Sequence, residues 1–347
     1  MSSDGTTQTP QRPESVTVHT VARLAGVSTA TVSRVLAGRA TVDPALAERV
    51  RQAVAELDFR PNAAARVLAS GRHRNIAVII PDAANPYFFE VVDAILTNAA
   101  KDGYRILIAD SRGQADEELE VALGLVGQVD GIILVSPRTG PEGLRRLARE
   151  RVPVLLANRV EVGVELPMIA VDNFTPMLEL CGHLADLGHR RVAYLGGSRR
   201  AWQNEERWRA VRHASSFGLH AVQIEGGGTI EDGRAGAERV LAQEPDVTAL
   251  LCFNDLTALG AISKLRERGV AVPDAMSVTG FDDIDLARYS EIPITTAASP
   301  KARLGELLWS AMAESLATGA RVPEIRSIDA PVVVRSSTGR VRTDGDR

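Results

Sequence analysis

The hydrophobic positions of the chain follow two different patterns, and the change falls near residue 75. Before that point, apolar residues recur at helical spacing in short segments separated by glycine, proline and hydroxyl residues. From Asn75 onward, continuous apolar runs such as Ile76 to Ile80 alternate with longer helical stretches. Continuous apolar runs are typical of buried parallel strands, and their alternation with helices indicates helix-covered parallel sheets. The pattern therefore predicts an all-α N-terminal region and a larger α/β region.

The segment from Val16 to Leu36 predicts two short helices joined by a tight turn. Thr17 can cap the first helix, Gly26 can end it in the left-handed conformation, and Ser28 can cap the second. The inward positions of the second helix are expected to be Val32, Val35 and Leu36.

The outward face of that second helix is short, hydroxyl-rich and cationic, and consists of Thr29, Ala30, Thr31, Ser33 and Arg34. A helix that faces only water usually carries Glu and Lys. Hydroxyls, methyl groups and an arginine suit the DNA major groove, where they can meet base edges and phosphates. The alternative is an ordinary helical hairpin.

Two further helices are predicted before the pattern changes. Asp43 and Pro44 form an N-cap followed by proline at the first helical position. Pro61 and Asn62 then begin a helix of barely two turns that ends at Gly71. A helix of that length is not stable alone in water. Its plausible partners are its twin in a second chain and DNA.

Length and charge bound the organisation of the chain. With 347 residues, two or three domains are expected. The net charge is −4, but residues 1–72 hold nine arginines, no lysine and six acidic residues, which gives +3. Residues 73–347 hold the other 31 basic and 38 acidic residues, which gives −7. This asymmetry favours a basic headpiece on an acidic body.

The remaining composition argues for a cytoplasmic protein. The first 15 residues are polar, so they predict a disordered arm and not a secretory signal. No apolar run reaches the length of a membrane span. Cys181 and Cys252 lie in separate apolar segments and are expected to be buried free thiols. We find no clustering of metal-ligating residues, and we expect neither a metal nor a cofactor.

Polar and aromatic residues follow the predicted strands of the α/β region. In open α/β sheets, ligands bind beyond the carboxyl ends of the strands. Such ends are also polar simply because they are solvated, so some of these residues will only cap helices. As a set they favour a ligand cleft. The strand-end segments are Pro81-Asp82, Asn85 to Phe88, Ser136 to Arg138, Asn158-Arg159, Gly196 to Arg199, Phe253 to Asp255 and Gly280 to Asp282.

Two motifs in order, VARLAGVSTATVSRVL and FRPNAAARVLASG, resemble the headpiece of the LacI/GalR family of bacterial transcriptional regulators. The later segments IPDAANPYFFEVV, VDGIILV, LGHRRVAYLGG, FNDLTALGAI and VPDAMSVTGFDD resemble the periplasmic-binding-protein-like core of the same regulators. The resemblance covers nearly everything from Val16 to Arg335. It implies a helix-turn-helix headpiece with a hinge helix and a two-lobed α/β domain with parallel sheets. The chain should cross between the lobes near Asp172, Ala298 and Asp329.

The resemblance implies domain bounds: a disordered arm at 1–15, the headpiece at 16–60, the hinge helix at 61–72, the effector-binding and dimerisation body at 73–337, and a flexible tail at 338–347. It also implies a homodimer on palindromic double-stranded operator DNA, associated with the nucleoid. Leu68 should wedge into the minor groove at the dyad. The expected DNA-binding residues are Thr17, His19, Ser28, Thr29, Ala30, Thr31, Ser33, Arg34, Asn62, Ala65, Leu68 and Ala69.

The same resemblance implies a repressor controlled by a small polar effector, with a sugar or related metabolite as the family default. Tyr87 and Phe88 should form stacking walls, while Arg207 and Asp282 should fix polar groups. The full expected set is Asp82, Asn85, Tyr87, Phe88, Asn158, Arg159, Arg207, Asn254, Asp255 and Asp282. Ala201, Gln203 and Gly228 stand where the purine-binding branch holds its base, which argues against a nucleobase.

Two departures and three alternatives remain. Thr20 stands where the family usually has Asp, which should weaken the first capping box. Thr29 and Ala30 occupy positions that vary with the operator, so the half-site cannot be copied from a relative.

A protein co-regulator could replace the small effector. A solute-binding receptor would share the body but not the headpiece. An α/β enzyme is disfavoured because the sequence lacks the phosphate-binding loops and the nucleophile motif that such enzymes carry.

Overall fold

The computed structural model describes residues 16–36, 42–59, 72–319 and 324–341. The chain divides into two compact units, with the boundary between His73 and Arg74. We call the first unit the headpiece and the second the body. Every helix within the described ranges is too short or too polar to cross a membrane.

The described part of the headpiece contains three helices: α1 at Val18–Ala25, α2 at Thr29–Leu36 and α3 at Pro44–Glu56. Its small core is formed by Val21, Ala22, Ala25, Val32, Val50 and Ala53. Gly26 ends α1 with φ of 64°, in the left-handed region that favours glycine. Arg49 of α3 donates to the carbonyls of Ala25 and Gly26, so a cation neutralises the C-terminal end of α1.

The helix caps of the headpiece lie at the residues that the sequence predicts. Ser28 accepts the backbone N–H of Thr31 at 3.1 Å, and Asp43 accepts those of Ala45 and Leu46. Thr20 still closes the first capping box, because its hydroxyl accepts the N–H of Thr17 at 3.3 Å and the hydroxyl of Thr17 accepts the N–H of Thr20 at 3.4 Å. Both bonds are longer than usual, which agrees with the expected weakening of the box. Threonine has the reach that this role requires.

The first lobe of the body is built on a six-stranded parallel sheet in the order β11-β5-β4-β3-β1-β2. Burial of continuous apolar runs on both faces explains why β1, β3, β4 and β5 are unbroken hydrophobic segments in the sequence. The strands are β1 Asn75–Ile80, β2 Arg105–Asp110, β3 Gly131–Val135, β4 Val154–Ala157, β5 Met168–Val171 and β11 Ile325–Ile328. The helices are α4 Pro86–Lys101, α5 Ala115–Leu125, α6 Pro141–Ala148 and α12 Lys301–Thr318.

The second lobe has a four-stranded parallel sheet in the order β7-β6-β8-β9, and β10 pairs antiparallel with β12 beside it. The strands are β6 Arg191–Leu195, β7 His220–Ile224, β8 Ala249–Cys252, β9 Ser277–Thr279, β10 Thr296–Ala297 and β12 Val332–Val333. The helices are α7 Phe174–Asp186, α8 Trp202–His213, α9 Ile230–Gln243, α10 Asp255–Glu267 and α11 Asp285–Arg288, with a 3-10 turn at Ala214–Phe217.

Three crossings connect the lobes at the predicted places. The N–H of Asp172 bonds the carbonyl of Ile328 at 2.8 Å, and that of Ala298 bonds Pro331 at 2.8 Å. The crossing segments are therefore paired with one another through their backbones. The predicted fold class, a helix-turn-helix headpiece followed by a two-lobed α/β body, is confirmed.

Two features of the body differ from the sequence expectation. Strand β11 was missed because its side chains are mostly exposed at the sheet edge and carry no apolar run. The predicted flexible tail is wrong for residues 338–341. Ser337 accepts from the N–H of Thr295 and donates to Val278, Thr338 bonds His183, and Gly339 bonds Ser277. These hydrogen bonds hold the segment on the second lobe.

Candidate functional site

A cavity of about 250 Å³ lies between the two lobes, at the carboxyl ends of their strands. Eight of the ten expected effector residues line it. Seven of them follow strands of the two sheets or lie at the start of the helix after one, as expected for an open α/β fold, and Arg207 is the exception. The eight are Asp82, Asn85, Tyr87, Phe88, Asn158, Arg207, Asn254 and Asp282.

Tyr87 and Phe88 stand in the first turn of α4, where Asn85 accepts the N–H of Tyr87 at 3.0 Å. Their rings meet edge to face with centres 5.2 Å apart. The Tyr87 hydroxyl accepts from the amide of Asn158 and from Ser299. Burial, together with the nearby Asp282 carboxylate, raises the pKa of Tyr87 to about 12. Tyr87 therefore stays neutral and presents a fixed aromatic wall.

Arg207 extends from α8 between two phenylalanine rings of the second lobe. Its guanidinium carbon lies 3.5 Å from the centre of the Phe281 ring and 4.8 Å from that of Phe253. Nε donates to Asn173 at 2.8 Å, and a terminal amino group donates to the carbonyl of Phe253. Burial lowers the pKa of Arg207, while Asp282 opposes that shift. The group is a buried, pre-oriented cation.

Asp282 faces Arg207 with 3.6 Å between the carboxylate oxygen and the guanidinium nitrogen. Its φ of 115° is unusual for a side-chain-bearing residue. The ammonium of Lys301 donates to the carbonyls of Asp282 and Asp283 and so supports this conformation. Burial raises the pKa of Asp282 to about 6, against the opposing effects of Arg207 and Lys301. At pH 7 the carboxylate of Asp282 is therefore mainly ionised and can accept hydrogen bonds, and it becomes protonated when the pH falls below about 6.

Two expected effector residues do not line the cavity, and these predictions are corrected. Arg159 donates to the carbonyls of Pro137 and Thr139 and pairs with Glu161 at 2.5 Å, so its donors hold a loop. Asp255 is fully buried, where it accepts the N–H of Ile284 and the hydroxyl of Thr296.

Gly280 permits that buried position of Asp255, because a Cβ there would meet its carboxylate oxygen at 2.1 Å. Burial, with the charge of Asp282 adding to it, raises the pKa of Asp255 to about 8. Residues that follow strands were expected to face a ligand. The sequence pattern does not distinguish side chains that line the cavity from side chains that hold its walls in place.

Two of the lining amides mainly support the walls. Asn158 donates to the Tyr87 hydroxyl and accepts the N–H of Val171 at 3.2 Å. Asn254 caps α10 by accepting from Thr257, and its NH₂ donates to the carbonyl of Gly228 at 2.9 Å. Both amides therefore orient the chain around the cavity as well as facing it.

Sequence reasoning left several lining residues out of the expected set. Gln203 of α8 donates to the hydroxyl of Ser136 at 2.6 Å and links the two lobes. Arg112 and Arg138 line the first-lobe side, and the rings of Phe253 and Phe281 line the second. Ser136, Arg138, Phe253 and Phe281 lie in the strand-end segments that the sequence analysis names, although the expected effector set does not contain them. No motif marked Gln203 as a lobe-to-lobe contact.

The headpiece exposes most of the expected DNA-reading face. Ala30, Ser33 and Arg34 are exposed, while Thr29 and Thr31 are half-buried. Thr31 shares a hydrogen bond of 2.9 Å with Ser28, so its hydroxyl is partly engaged. Leu36, expected inside, is 39% exposed. The remaining exposed members of the set are Thr17, His19 and Ser28. Asn62, Ala65, Leu68 and Ala69 lie outside the described residues, as does most of the expected hinge.

A helix-turn-helix headpiece with an exposed second helix, in one chain with a two-lobed body that encloses a polar cavity, defines a DNA-binding transcriptional regulator. Residues 17–62 match the model of the bacterial regulatory proteins of the lacI family, and residues 181–338 match a periplasmic binding protein-like domain. The chain belongs to the LacI family of bacterial regulators.

The similarity to individual relatives extends over almost the full length of the chain. The chain is 30% identical over 332 residues to the HTH-type transcriptional repressor CytR of Escherichia coli (strain K12), covering 93% of this chain and 96% of that one. It is similar to the lac repressor dimer bound to operator and the anti-inducer ONPF, with TM-score 0.84, 26% identity and coverage of 93% and 99%. It also resembles the regulator CelR in its cellobiose complex, with TM-score 0.70, 28% identity and coverage of 94% and 100%.

Proposed function

We propose that this regulator represses transcription as a homodimer on a palindromic operator, and that a polar, sugar-like molecule in the cavity changes its operator affinity. One observation carries the proposal: groups from both lobes meet in the cavity, with Arg207 and Asp282 on one side and Tyr87 and Phe88 on the other. Aromatic faces suit the C–H faces of a sugar, and charged donors and acceptors suit its hydroxyls. The similar regulator CelR forms a complex with a sugar, cellobiose.

DNA recognition is assigned to α2. Ala30 and Arg34 are exposed on this helix, and the half-buried Thr29 stands at its start. Helix α1 and the core of the headpiece hold α2 in place through Val21, Ala25 and Val32. In the helix-turn-helix docking mode, the second helix contacts base edges while flanking hydroxyls such as Thr17 contact phosphates.

Dimerisation is assigned to an apolar surface of the first lobe. Phe89 and Leu96 of α4 are 51% and 45% exposed, and Leu107 and Ile108 of edge strand β2 are also exposed. Exposed apolar patches of this kind mark protein interfaces. Val92 and Ile95 of the same helix belong to the core of their own lobe. One headpiece offers few contacts, and a two-fold dimer doubles them.

Coupling between ligand and DNA follows from the two-lobed design. A ligand that contacts both lobes favours one arrangement of them over another. It can shift operator affinity only by its differential affinity for those arrangements, typically by about 1–3 kcal/mol. The proposal includes no catalytic step, and a turnover assay on candidate ligands would test that part.

The test combines two measurements on the full chain. Half-sites are first selected from random DNA, and sugars and related metabolites are screened by thermal shift. Operator binding is then measured with and without the stabilising compound. A palindromic consensus whose affinity changes with the compound supports the proposal. A chain that selects no DNA sequence, or whose DNA binding responds only to a protein, contradicts it.

A further inference from the structure

The charges that line the cavity do not balance. Three arginines and two aspartates line it: Arg112, Arg138, Arg207, Asp82 and Asp282. Arg207 and Asp282 face each other at 3.6 Å. Within the part of the chain that the structure describes, neither Arg112 nor Arg138 has a carboxylate oxygen within 4.0 Å of its guanidinium nitrogens. Two cations therefore line the cavity, Arg138 half-buried and Arg112 exposed at its rim, and the remaining aspartate, Asp82, is not paired with either of them.

A buried acid close to Arg138, Glu118, is fully occupied by other donors. Its carboxylate accepts the N–H groups of Arg138 and Thr139 and the hydroxyls of Thr139 and Ser111. Glu118 therefore fixes the loop that carries Arg138 through the backbone N–H of that residue and forms no ion pair with its guanidinium. One amino group of that guanidinium donates to the carbonyl of Ser136 at 2.6 Å. Burial lowers the pKa of Arg138 to about 10, with Glu118 opposing the shift. The surroundings of this cation compensate it only in part.

A second, independent observation in the cavity is an unpaired oxygen on the side chain of Gln203. Gln203 is 7% exposed, and its amide nitrogen donates to the Ser136 hydroxyl at 2.6 Å. Its amide oxygen has no hydrogen-bond partner among the described residues. A buried acceptor without a donor is costly, and a ligand hydroxyl would satisfy it. The amide oxygen of Gln203 can therefore accept a hydrogen bond from a ligand, whereas the guanidinium groups of Arg112 and Arg138 can bind an anionic group.

We propose that the effector is a hydroxylated anion, a sugar phosphate or a sugar acid, whose anionic group is bound by Arg112 and Arg138 and one of whose hydroxyls donates to Gln203. This inference rests on the proposed function and specifies the ligand of the same cavity. Guanidinium groups bind phosphate and carboxylate with short, charge-assisted hydrogen bonds. A neutral sugar would leave the half-buried Arg138 without a counter-charge when the ligand displaces water from the cavity.

The test measures binding to the purified full chain by calorimetry and thermal shift. The probes are hexose and pentose phosphates, the corresponding sugar acids, the parent neutral sugars, and inorganic phosphate. At least one anionic sugar should bind roughly tenfold or more tightly than its neutral parent. Whether the phosphates or the acids bind distinguishes the two sources. Inorganic phosphate at millimolar concentration should compete with the bound anion.

Variants assign the effect to the two arginines. Arg112→Gln and Arg138→Gln should each weaken the anionic sugar by about tenfold or more and reduce the preference over its neutral parent. Arg138→Lys, which keeps the charge, should retain part of that preference. Arg146→Gln removes an exposed arginine of α6 outside the cavity and should bind as the unmodified chain does.

Two outcomes overturn the inference. One is a neutral sugar that binds as tightly as its phosphorylated and acidic forms and is indifferent to both glutamine variants. The other is the failure of every anionic probe to stabilise the protein. In the first outcome, ligand-dependent operator binding would persist and the proposed function would stand. Failure of the proposed function itself would appear separately, as a lack of any sequence-selective DNA binding.

Discussion

The side-chain amide of Gln203, on α8 of the second lobe, donates a hydrogen bond of 2.6 Å to the hydroxyl of Ser136, which follows β3 of the first lobe. Both residues line the cavity, and the amide oxygen of Gln203 has no partner among the described residues. One side chain thus both links the lobes and offers a buried acceptor to whatever enters between them.

The first prediction concerns this link. Gln203→Met should weaken ligand binding about fivefold or more, because the acceptor and the link between the lobes are both lost. The free energy of unfolding should change by less than about 1 kcal/mol, since the variant loses one hydrogen bond but also removes an unsatisfied oxygen. Gln243→Met, at the exposed end of α9, is the matched control. Calorimetry and urea unfolding measure the two quantities, and an unchanged ligand affinity would refute the role.

The second prediction concerns the pH dependence of ligand binding. The pKa of Asp282 is about 6, so its carboxylate is mainly ionised at pH 7 and protonated at pH 5. For a probe that does not itself titrate between pH 5 and 7, such as a neutral sugar or a sugar acid, affinity should therefore fall on acidification, with a midpoint near pH 6, because the acceptor that faces Arg207 loses its charge. Asp282→Asn should bind more weakly at pH 7 and show a flatter profile. A wild-type affinity that is constant from pH 7 to 5 would exclude this role of Asp282.

The third prediction concerns stability and Asp255. Its folded-state pKa of about 8 lies above the unfolded value of 3.8. The stability it contributes is thus fully present below pH 3.8 and is lost as the pH rises through 8. Asp255→Asn mimics the protonated form and should flatten the fall in unfolding free energy between pH 6 and 9. Urea unfolding at several pH values measures this, and an equally steep fall in both proteins would contradict it.

The fourth prediction concerns DNA reading. Arg34→Ala should cost roughly 1–3 kcal/mol of operator binding if Arg34 contacts a base, and substitutions at Thr29 and Ala30 should change the preferred half-site. Arg51→Ala removes the same charge from α3 and should weaken all sequences alike, and by less. Selection from a random DNA pool decides the matter. A Thr29/Ala30 double variant that selects the unmodified site would show that other residues read the operator.

The fifth prediction concerns assembly. Phe89→Glu and Leu96→Glu place charges on the exposed apolar face of α4 and should convert a dimer into monomers. The loss of dimerisation should also lower operator affinity, because two headpieces then no longer bind as one unit. Thr97→Glu, at another exposed position of the same helix, tests for a general effect of charge. Sedimentation that shows a monomeric unmodified chain, or dimers in both apolar-face variants, would contradict the assignment.

Most of the fold could be predicted because its signals are local. Continuous apolar runs predicted the strands that are buried on both faces, whereas β11, exposed at a sheet edge, has no such signal. The cavity residues that follow strands could also be predicted from the sequence. Arg159 and Asp255 show the limit of that rule, because their contacts with Glu161 and Thr296 decide their direction. The Gln203–Ser136 bond depends on the packing of the two lobes, and no pattern within one segment contains it.

Operator affinity, measured by fluorescence anisotropy with and without the stabilising ligand, tests the central claim most directly when the unmodified chain is compared with Arg207→Met. Methionine keeps much of the packing between Phe253 and Phe281 but removes the cation that faces Asp282. Both proteins should bind operator equally without ligand. The ligand should change the affinity of the unmodified chain by about 1–3 kcal/mol and leave that of the variant nearly unchanged. A full ligand response in Arg207→Met, with its fold intact, would contradict the account.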